Sequence, residues 1–455
     1  MVNIIEKIDK FAEKFSLTHE SIDRLCDHKT EPDWVRAFRH KALDIFLKKP
    51  MPNWLNQEKL DTIHFDDINY FIRASDRPSR RWEDVPEEIK TTYDRLGIPE
   101  AERKFLAGAN LQYESETVYE SLKQKWTDMG IIFCDIDSAI RKYPEVVKRY
   151  LGTLVPPSDN KFAALNSAYF SGGSFIIVPK GVRVEEPLQA FFYIQSKSSG
   201  QFERTMIIVE EGAHCNYAEG CGSPTYKQES LHAAVVEVFV HKNARCQYTT
   251  IQNWSKNVLN MTTKRAIAYE NAHMSWTDYN GGSSMTVKYP GVWLAGEGAH
   301  GEVLSLAHAS ADQLQDTGGK LVHMANNTTS QMTSKSISAK GGRATFRGLI
   351  KVAPGLHGIK ISSKCDALIL DSDSATDTIP YIEVESPDCV MEHEATVSKI
   401  SEDQLFYLQS RGVSEDDAKR MIVNGFVEPI VKTLPMEYAV ELNRLIEMEM
   451  EGSVG

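Results

Sequence analysis

One motif recurs at nearly constant spacing through the middle of the chain, and it restricts the possible folds more than any other feature. Its copies are "EGAHCNYAEGC" from residue 211, "KNARCQYTTIQ" from 242, "ENAHMSWTDYN" from 270 and "EGAHGEVLSLA" from 297, so successive copies start 31, 28 and 27 residues apart. A weaker fifth copy, "ANNTTSQMTSK", starts at 325. Each copy has Gly or Asn at a turn and then alternates as a β-strand does.

This period predicts a β-solenoid, in which each coil stacks on the next at about 4.8 Å. A sandwich of hairpins is the competing fold, but it does not require one motif at one period. We therefore expect a mainly β core, a right-handed parallel β-helix over residues 161–395. An N-terminal helical domain over 1–160 and a C-terminal helical domain over 396–455 would flank it.

Helical patterns support both flanks. Apolar residues recur at helical spacing in "EPDWVRAFRHKALDIFLKK", and we also expect helices in "SETVYESLKQKWTDMG" and, interrupted by Pro144, in "DIDSAIRKYPEVVKRYLG". Near the C-terminus, Ser401 and Ser414 stand where helix N-caps are expected, with helices ending at Gly412 and Gly425. A last helix would begin at Pro435.

Alternation along each copy divides the solenoid residues into an inward and an outward set. The inward positions are apolar: Ala213, Cys215 and Tyr217; Ala244, Cys246 and Tyr248; Ala272, Met274 and Trp276; and Ala299, Gly301 and Val303. His214, His273 and His300 belong to the outward set. We interpret these histidines as a solvated ladder rather than as metal ligands.

Further along the same face, the ninth position of successive copies turns polar. It is Cys221, then Gln252, then Asn280, and Trp254 follows at the eleventh position of the second copy. Buried polar groups are costly unless they have partners. Two interpretations remain open: the strands end here and these are turn residues, or a polar lane with a thiol at its end runs inside the solenoid.

Composition excludes several classes of protein. The seven cysteines are odd in number and form no C-x-x-C pair, which disfavours a disulfide framework, a zinc ribbon and a ferredoxin-type run and favours reduced thiols in the cytoplasm. A net charge of −12 argues against a nucleic-acid-coating protein, and no apolar run is long enough to span a membrane. The common nucleotide-binding, hydrolase and zinc-protease signatures are absent from the sequence.

The densest group of possible metal ligands is Glu392, His393 and Glu394, in "EHEAT". A solvated charge run before a helix is the plain interpretation. Alternatively, these side chains join the Cys365 thiolate in a mixed ligand set suited to iron. The 28 residues from Cys365 to His393 match one repeat, which favours the second interpretation.

Long motifs then identify a family. "GQFERTMIIVEEG", "EGCGSP", "HKNARCQYTTIQNW", "DTGGK" and "EHEATVSKISEDQLFYLQSRG" closely resemble the SufB branch of the SufB/SufD family, the scaffold subunits of the SUF iron–sulfur cluster assembly system. The resemblance implies a parallel β-helix between helical domains. It also implies a SufC ATPase docked on the C-terminal helices, SufD or a second SufB bound through the β-helix, and sulfur supplied by a cysteine desulfurase with its transfer protein.

The resemblance also implies roles for particular residues. Cys221 matches the sulfur entry cysteine, and Gln252, Trp254 and Lys264 match the path along which sulfur moves. Cys365 and Glu394 match residues essential for the nascent cluster, with His393 beside them and Glu392 and Lys364 as secondary candidates. Lys364 and Lys264 are the cations that we expect to lower the pKa of the Cys365 thiol.

The expected product is a transient [4Fe–4S] or [2Fe–2S] cluster, with reduced flavin as a further expected component of the complex. ATP hydrolysis would belong to SufC rather than to this chain. The alternative is a SufD-like structural partner without its own cluster chemistry. SufD-like chains tend to have "HGAT" where this chain has "HEAT", and they lack "EGC", so Glu394 and Cys221 favour the scaffold role.

Overall fold

The computed structural model describes residues 16–72, 107–194, 200–223, 229–432, 439 and 442–446. The helix predicted to begin at Pro435 lies largely outside the described residues. Within that segment, the described residues 442–446 are helical. The described part of the chain contains no helix that is both long and apolar enough to span a membrane.

The solenoid consists of two large sheets that face each other and are built from alternate strands of about seven turns. The ten-stranded sheet has the order β2-β1-β5-β8-β11-β13-β16-β18-β20-β22, and the main path of the twelve-stranded sheet is β21-β19-β17-β14-β12-β10-β7-β4-β3. The predicted parallel solenoid is therefore confirmed. Of the strand pairs between named strands, only β1–β2 and β3–β4 are antiparallel in the described residues.

The strands have the following bounds. In the ten-stranded sheet they are β1 Gly108–Tyr113, β2 Glu116–Leu122, β5 Leu188–Tyr193, β8 His214–Gly222, β11 Arg245–Trp254, β13 His273–Gly282, β16 His300–Ala309, β18 Thr329–Ser338, β20 Ile359–Ile369 and β22 Cys389–Lys399. In the other sheet they are β3 Ile132–Asp135, β4 Ser174–Val178, β6 Gly200–Gln201, β7 Arg204–Val209, β9 Ser230–His232, β10 Val235–Val240, β12 Val258–Ala268, β14 Met285–Lys288, β15 Gly291–Leu294, β17 Leu314–His323, β19 Arg343–Val352 and β21 Ala375–Val384.

The recurring Gly or Asn of the motif is explained by backbone conformation. It lies just before a strand of the ten-stranded sheet and has a left-handed φ of 69° at Gly212, 58° at Asn243, 53° at Asn271, 70° at Gly298 and 58° at Asn327. Gly and Asn are the residues that adopt this conformation most readily. The repeated motif therefore marks one tight turn in each coil, and the weak fifth copy has this turn as well.

Among the described residues, seven helices precede or interrupt the first coils. They are α1 His19–Lys29, α2 Asp33–Lys48, α3 Gln57–Asp61, α4 Gln124–Asp128, α5 Ile136–Lys142, α6 Pro144–Tyr150 and α7 Lys161–Tyr169, with a 3₁₀ turn at Phe65–Asp67. Apolar residues of α1, α2 and α7 pack on Leu231, Leu259 and Met261, which point outward from the twelve-stranded sheet. This helical layer therefore covers one outer face of the solenoid.

The structure departs from the predicted helical segment 1–160 in one region. Residues 116–122 of "SETVYESLKQKWTDMG" form β2, and only 124–128 are helical. β1 and β2 extend the ten-stranded sheet, and β3 joins the other sheet, so the solenoid includes strands that precede residue 161. β1 pairs in parallel with β5, and β2 folds back on β1 as a hairpin, so this strand pairing overrides the local helical pattern.

α8 Glu402–Ser410 and α9 Glu415–Val431 follow the last coil. The predicted caps are confirmed, because the Ser401 and Ser414 hydroxyls accept from the backbone N–H groups three residues later. The predicted end of α9 at Gly425 was wrong, since the helix continues to Val431. Its apolar side packs on outward side chains of the ten-stranded sheet, which include Ile251, Tyr279, Leu306, Ile337 and Leu368. This packing stabilises the turns of α9 that follow Gly425.

Candidate functional site

The inward face carries a continuous row of small and polar side chains, one from each coil, which we call the polar file. Strand register aligns its six members as direct neighbours across β8, β11, β13, β16, β18 and β20: Glu219, Thr250, Asp278, Ser305, Ser334 and Cys365. All six are buried. Five steps of about 4.8 Å span roughly 24 Å from the first to the last.

A second row lies two residues further along the same strands. Cys221, Gln252 and Asn280 are direct neighbours in register, and all three are buried. They belong to continuous strands, since β8 extends to Gly222 and β11 to Trp254. The interpretation as turn residues was therefore wrong, and the polar lane inside the solenoid is confirmed. The predicted inward and outward sets are confirmed as well, because the inward residues named above are buried.

Two lysines from the facing sheet bind the carboxylates of the polar file. Lys264 Nζ lies 3.5 Å from Glu219 Oε1 and 3.3 Å from Asp278 Oδ1, and it donates to the Thr250 hydroxyl. Lys288 Nζ lies 3.1 Å from the same Asp278 oxygen and 3.0 Å from Gln252 Oε1. Isolated buried charges are very costly, so each of these groups depends on the others.

Burial and pairing shift the pKa of Lys264, Lys288 and Asp278. Burial alone would lower the pKa of Lys264, but the carboxylates of Asp278 and Glu219 outweigh it and raise that pKa. Burial lowers the pKa of Lys288 to about 8, although Asp278 opposes the shift. Burial would raise the pKa of Asp278, but the two lysines hold it below its ordinary value. Lys264 is therefore a fixed cation, whereas Lys288 titrates near neutrality.

Cys221 stands at the polar end of this cluster. Its Sγ lies 3.8 Å from Glu219 Oε1, and the Tyr248 hydroxyl donates to the other oxygen of that carboxylate. Burial, followed by the negative charge of Glu219, raises the pKa of the Cys221 thiol well above its ordinary value. The thiol is therefore protonated at neutral pH and donates to the carboxylate beside it.

Gln252 and Trp254 line the same interior. The Asn260 side-chain amide donates to Gln252 Oε1 at 3.0 Å, and its oxygen lies 2.8 Å from His232 Nδ1. The Trp254 ring is buried with its centroid 4.6 Å from that of His232. His232 Nε2 lies 2.5 Å from Glu203 Oε1, and although burial lowers its pKa, Glu203 outweighs burial and raises it. The structure thus brings the predicted path residues Cys221, Gln252, Trp254 and Lys264 together.

Sequence reasoning missed Glu219, Asp278 and Lys288. The alternation that placed Cys221 and Gln252 inward also places Glu219 and Asp278 on that face, so two charged residues at inward positions were the available signal. Lys288 comes from the facing sheet, whose strands do not carry the repeated motif. Its place opposite Asp278 follows only from how the two sheets meet.

Cys365 ends the polar file near the last coil. Its thiol is buried and lies 3.7 Å from the Thr378 hydroxyl of β21. Burial raises the pKa of this thiol, and the contact with Thr378 opposes the shift. The expectation that Lys364 and Lys264 lower this pKa was wrong. Lys364 points outward, and Lys264 contacts Asp278, three coils or about 14 Å from Cys365.

The three residues of "EHEAT" lie on β22, the last strand, instead of in a charge run before a helix. Register aligns Cys365 with Ala395, Lys364 with Glu394 and Ser363 with His393, an offset of 30 residues. The match of Cys365 to His393 by the 28-residue separation was therefore wrong by two residues. His393 follows the alternation of the inward face, one coil beyond Ser363, but its side chain is exposed.

Glu394 and Glu392 follow the opposite, outward alternation. Glu394 Oε2 accepts from Lys364 Nζ at 3.3 Å, and both side chains are exposed. The structure therefore does not bring Glu394 and Cys365 together on one face of this chain. A ligand set that includes both must be completed at the open end of the solenoid.

That open end is formed by β21 and β22, each the outermost strand of its sheet. Both expose apolar side chains, namely Ile379, Tyr381, Ile382, Val384, Val390 and Val397. Long exposed edge strands are templates for pairing with another chain. Cys365 thus lies one coil below a surface that can pair with another chain.

Comparisons with known proteins match nearly the whole chain. A family model described as "SUF system FeS cluster assembly, SufBD core domain" matches residues 192–426, and one described as "SufBD protein N-terminal region" matches 99–190. Curated proteins called iron–sulfur cluster assembly SufBD family proteins are 53% identical in Staphylococcus saprophyticus and Staphylococcus epidermidis and 52% identical in Staphylococcus aureus strain USA300. Each alignment covers 99% of this chain and 96% of the relative.

Proposed function

This chain belongs to the SufBD family of the SUF system for iron–sulfur cluster assembly, and on that premise we propose that it is the SufB-type scaffold. In this proposal sulfur is received at Cys221 and passes along the inside of the solenoid. It meets iron near Cys365, where a [2Fe–2S] or [4Fe–4S] cluster is assembled as cargo and handed on.

The observation that carries the proposal is the polar file with a thiol at each end. Cys221 lies beside its first member, and Cys365 is its last. Plain core packing does not require polar side chains at the same inward position of six successive coils, because each costs free energy to bury. A route for a polar sulfur species does require them.

The contacts of Cys221 support sulfur transfer. A persulfide donor carries its sulfur as Cys–S–SH, and attack by the Cys221 thiolate forms a new S–S bond while the donor's S–S bond breaks. The donor leaves as a thiolate that takes up a proton. Glu219, 3.8 Å from Cys221 Sγ, is placed to accept the thiol proton. Lys264 and Tyr248 hold that carboxylate in position.

The open end of the solenoid supports a cluster site that is shared with a partner. Cys365 approaches this end from inside, whereas His393 and Glu394 are exposed on the last strand. Pairing of β21 and β22 with SufD or a second SufB would bury those residues and complete the ligand set. The mixed thiolate, imidazole and carboxylate donors suit iron.

The C-terminal helices support docking of the SufC ATPase. α8 and α9 expose Phe406, Tyr407 and Met421, although the opposite side of α9 is packed on the sheet. Exposed large apolar side chains in a group mark interaction sites. ATP hydrolysis would then act on the scaffold through these helices, while a cysteine desulfurase and its transfer protein deliver sulfur in the cytoplasm.

A SufD-like partner role is the second candidate, and one observation favours it. Glu394 is paired with Lys364 on the face opposite Cys365, so this chain alone does not assemble the expected ligands. In that case the chain would complete the complex while another subunit held the cluster.

Anaerobic reconstitution distinguishes the two roles. The chain is purified with SufC and its partner, supplied with ferrous iron, cysteine and the desulfurase system, and followed by visible and Mössbauer spectra with and without reduced flavin. We expect Cys221→Ala, Cys365→Ala and Glu394→Ala to keep the complex but to lose the cluster. Cys215→Ala, which removes an equally buried thiol outside the polar file, should retain it.

Persulfide labelling separates entry from assembly. Cys221→Ala should abolish sulfur loading on the chain, whereas Cys365→Ala should leave Cys221 loaded. Full reconstitution and transfer by the Cys365→Ala complex would overturn the scaffold proposal and leave the SufD-like role.

A further inference from the structure

Two histidines and a glutamate meet on the outer face of the ten-stranded sheet. His273 of β13 and His300 of β16 are direct neighbours in register, and Glu302 follows two residues later on the same face. His300 Nε2 lies 3.0 Å from Glu302 Oε1, and His273 Nε2 lies 3.6 Å from Glu302 Oε2. One donor atom from each residue lies within 4.8 Å of the other two.

These side chains are held more firmly than a solvated ladder would be. The side chains of His273, His300 and Glu302 are 32%, 29% and 38% exposed, and the two imidazole centroids are 4.5 Å apart in an edge-on arrangement. The Thr329 hydroxyl, on the next strand, lies 2.6 Å from His300 Nδ1. That contact fixes the ring and leaves Nε2 directed at the carboxylate.

The arrangement matches the requirements of a metal site. Two imidazole nitrogens and one carboxylate are a common ligand set for divalent first-row metals. Metal–ligand bonds of about 2.1 Å place tetrahedral donors about 3.4 Å apart, and donor atoms that already lie within 4.8 Å of one another reach that spacing through small movements of the partly exposed side chains. A hydrogen bond to the second nitrogen of a ligating histidine is the usual outer-shell feature.

The surroundings leave room for exchange. His273 and Glu302 line an open groove of about 500 Å³, which further outward residues such as Gln247, Ser275 and Gln331 also line. Water can therefore occupy the remaining coordination positions. Arg245, the outward neighbour of His273 on β11, is exposed. Its positive charge repels a cation bound in the groove.

We propose that His273, His300 and Glu302 bind a divalent first-row transition-metal ion on the outside of the solenoid. The site lies on the side of β13 and β16 opposite the polar file, so its ion is separate from the iron of the cluster proposed above. The proposal does not depend on the scaffold role, and either can fail without the other.

Cobalt(II) is the probe, because its visible spectrum reports both binding and ligand type. The full-length chain carrying Cys221→Ala and Cys365→Ala is freed of metal with chelator and titrated with Co²⁺, and Zn²⁺ binding is measured by calorimetry. We expect one ion per chain with nitrogen and oxygen ligands. An anomalous difference map at the cobalt edge should place the ion between the three side chains.

Variants test the assignment in the same background. His300→Ala and Glu302→Gln should lose binding at concentrations that saturate the parent, and Thr329→Val should weaken it about tenfold. His214→Ala changes an outward histidine two strands from His273 and should bind as the parent does. Circular dichroism checks that each variant is folded. Unchanged stoichiometry and affinity in His300→Ala and Glu302→Gln, or no binding by the parent at micromolar metal, would overturn the proposal.

Discussion

Replacing Lys288 by Met should remove a specific part of the pH dependence of stability. Lys288 is buried inside the solenoid, and burial lowers its pKa to about 8 from the ordinary 10.5. That difference corresponds to about 3 kcal/mol, the cost of keeping this ammonium charged inside the folded protein below pH 8. The unfolded chain does not bear this cost.

The sign follows from proton counting. Between about pH 8 and 10.5 the folded protein has released the Lys288 proton, whereas the unfolded chain still binds it. Stability therefore rises with pH in this interval. From pH 7 to pH 9.5 the rise from this one residue is about 2 kcal/mol.

The assay compares wild type with Lys288→Met. Urea unfolding is followed by tryptophan fluorescence at pH 7 and pH 9.5, and the free energies of the two proteins are subtracted at each pH. Losing the hydrogen bond to Gln252 destabilises the variant equally at both pH values. This loss therefore cancels when the stability difference between the two proteins at pH 7 is subtracted from that at pH 9.5. Lys264 remains 3.3 Å from Asp278 and keeps that carboxylate paired in the variant.

We expect wild type to gain about 2 kcal/mol relative to Lys288→Met over this pH range. Lys360→Met, which removes an exposed lysine, controls for the general loss of a positive charge. A difference between wild type and Lys288→Met that stays constant from pH 7 to pH 9.5 would refute the assignment of Lys288 as the titrating cation of the interior.

Three further substitutions test the packing. Gly282→Ala should cost about 2 kcal/mol or more in urea unfolding, because φ is +69° and the new Cβ would lie 1.7 Å from the Trp254 carbonyl oxygen. Gly425→Ala, inside α9 with open space around it, should instead add about 0.5–1 kcal/mol, and equal tolerance of both alanines would contradict this. Arg204→Met should cost about 3–5 kcal/mol, because it leaves the buried Glu237 carboxylate, 2.7 Å from Arg204, without its cation. A melting temperature equal to wild type would contradict that last expectation.

Local geometry explains why much of the fold was predictable. A left-handed turn residue recurs once per coil, and residues such as Asn243 and Asn271 record it in the sequence. The two-residue period of a strand then fixes which side chains point inward. Both signals are short-range, so the solenoid, its inward face and the caps at Ser401 and Ser414 follow from the chain alone.

Signals that depend on pairing partners were less reliable. The segment containing β2 has a helical pattern, but it forms a strand because β1 offers an open edge next to it. Gly425 normally ends a helix, yet α9 continues because its apolar side is held against the sheet. In both cases pairing with or packing on another element outweighs a local preference of about 1 kcal/mol.

The sequence by itself determined that a thiol, an amide and an indole lie on one inward face, and that Cys365 lies on the same kind of face several coils later. Only the tertiary structure decided that Cys365 continues the row that begins at Glu219. Coil lengths vary by a few residues, so the strand register cannot be counted along the sequence over several coils. It also decided that Lys264 and Lys288 meet Asp278 from the opposite sheet. His393 was matched to Cys365 and not to Ser363 for the same reason, and the register also places Glu394 beside Lys364, on the face opposite Cys365.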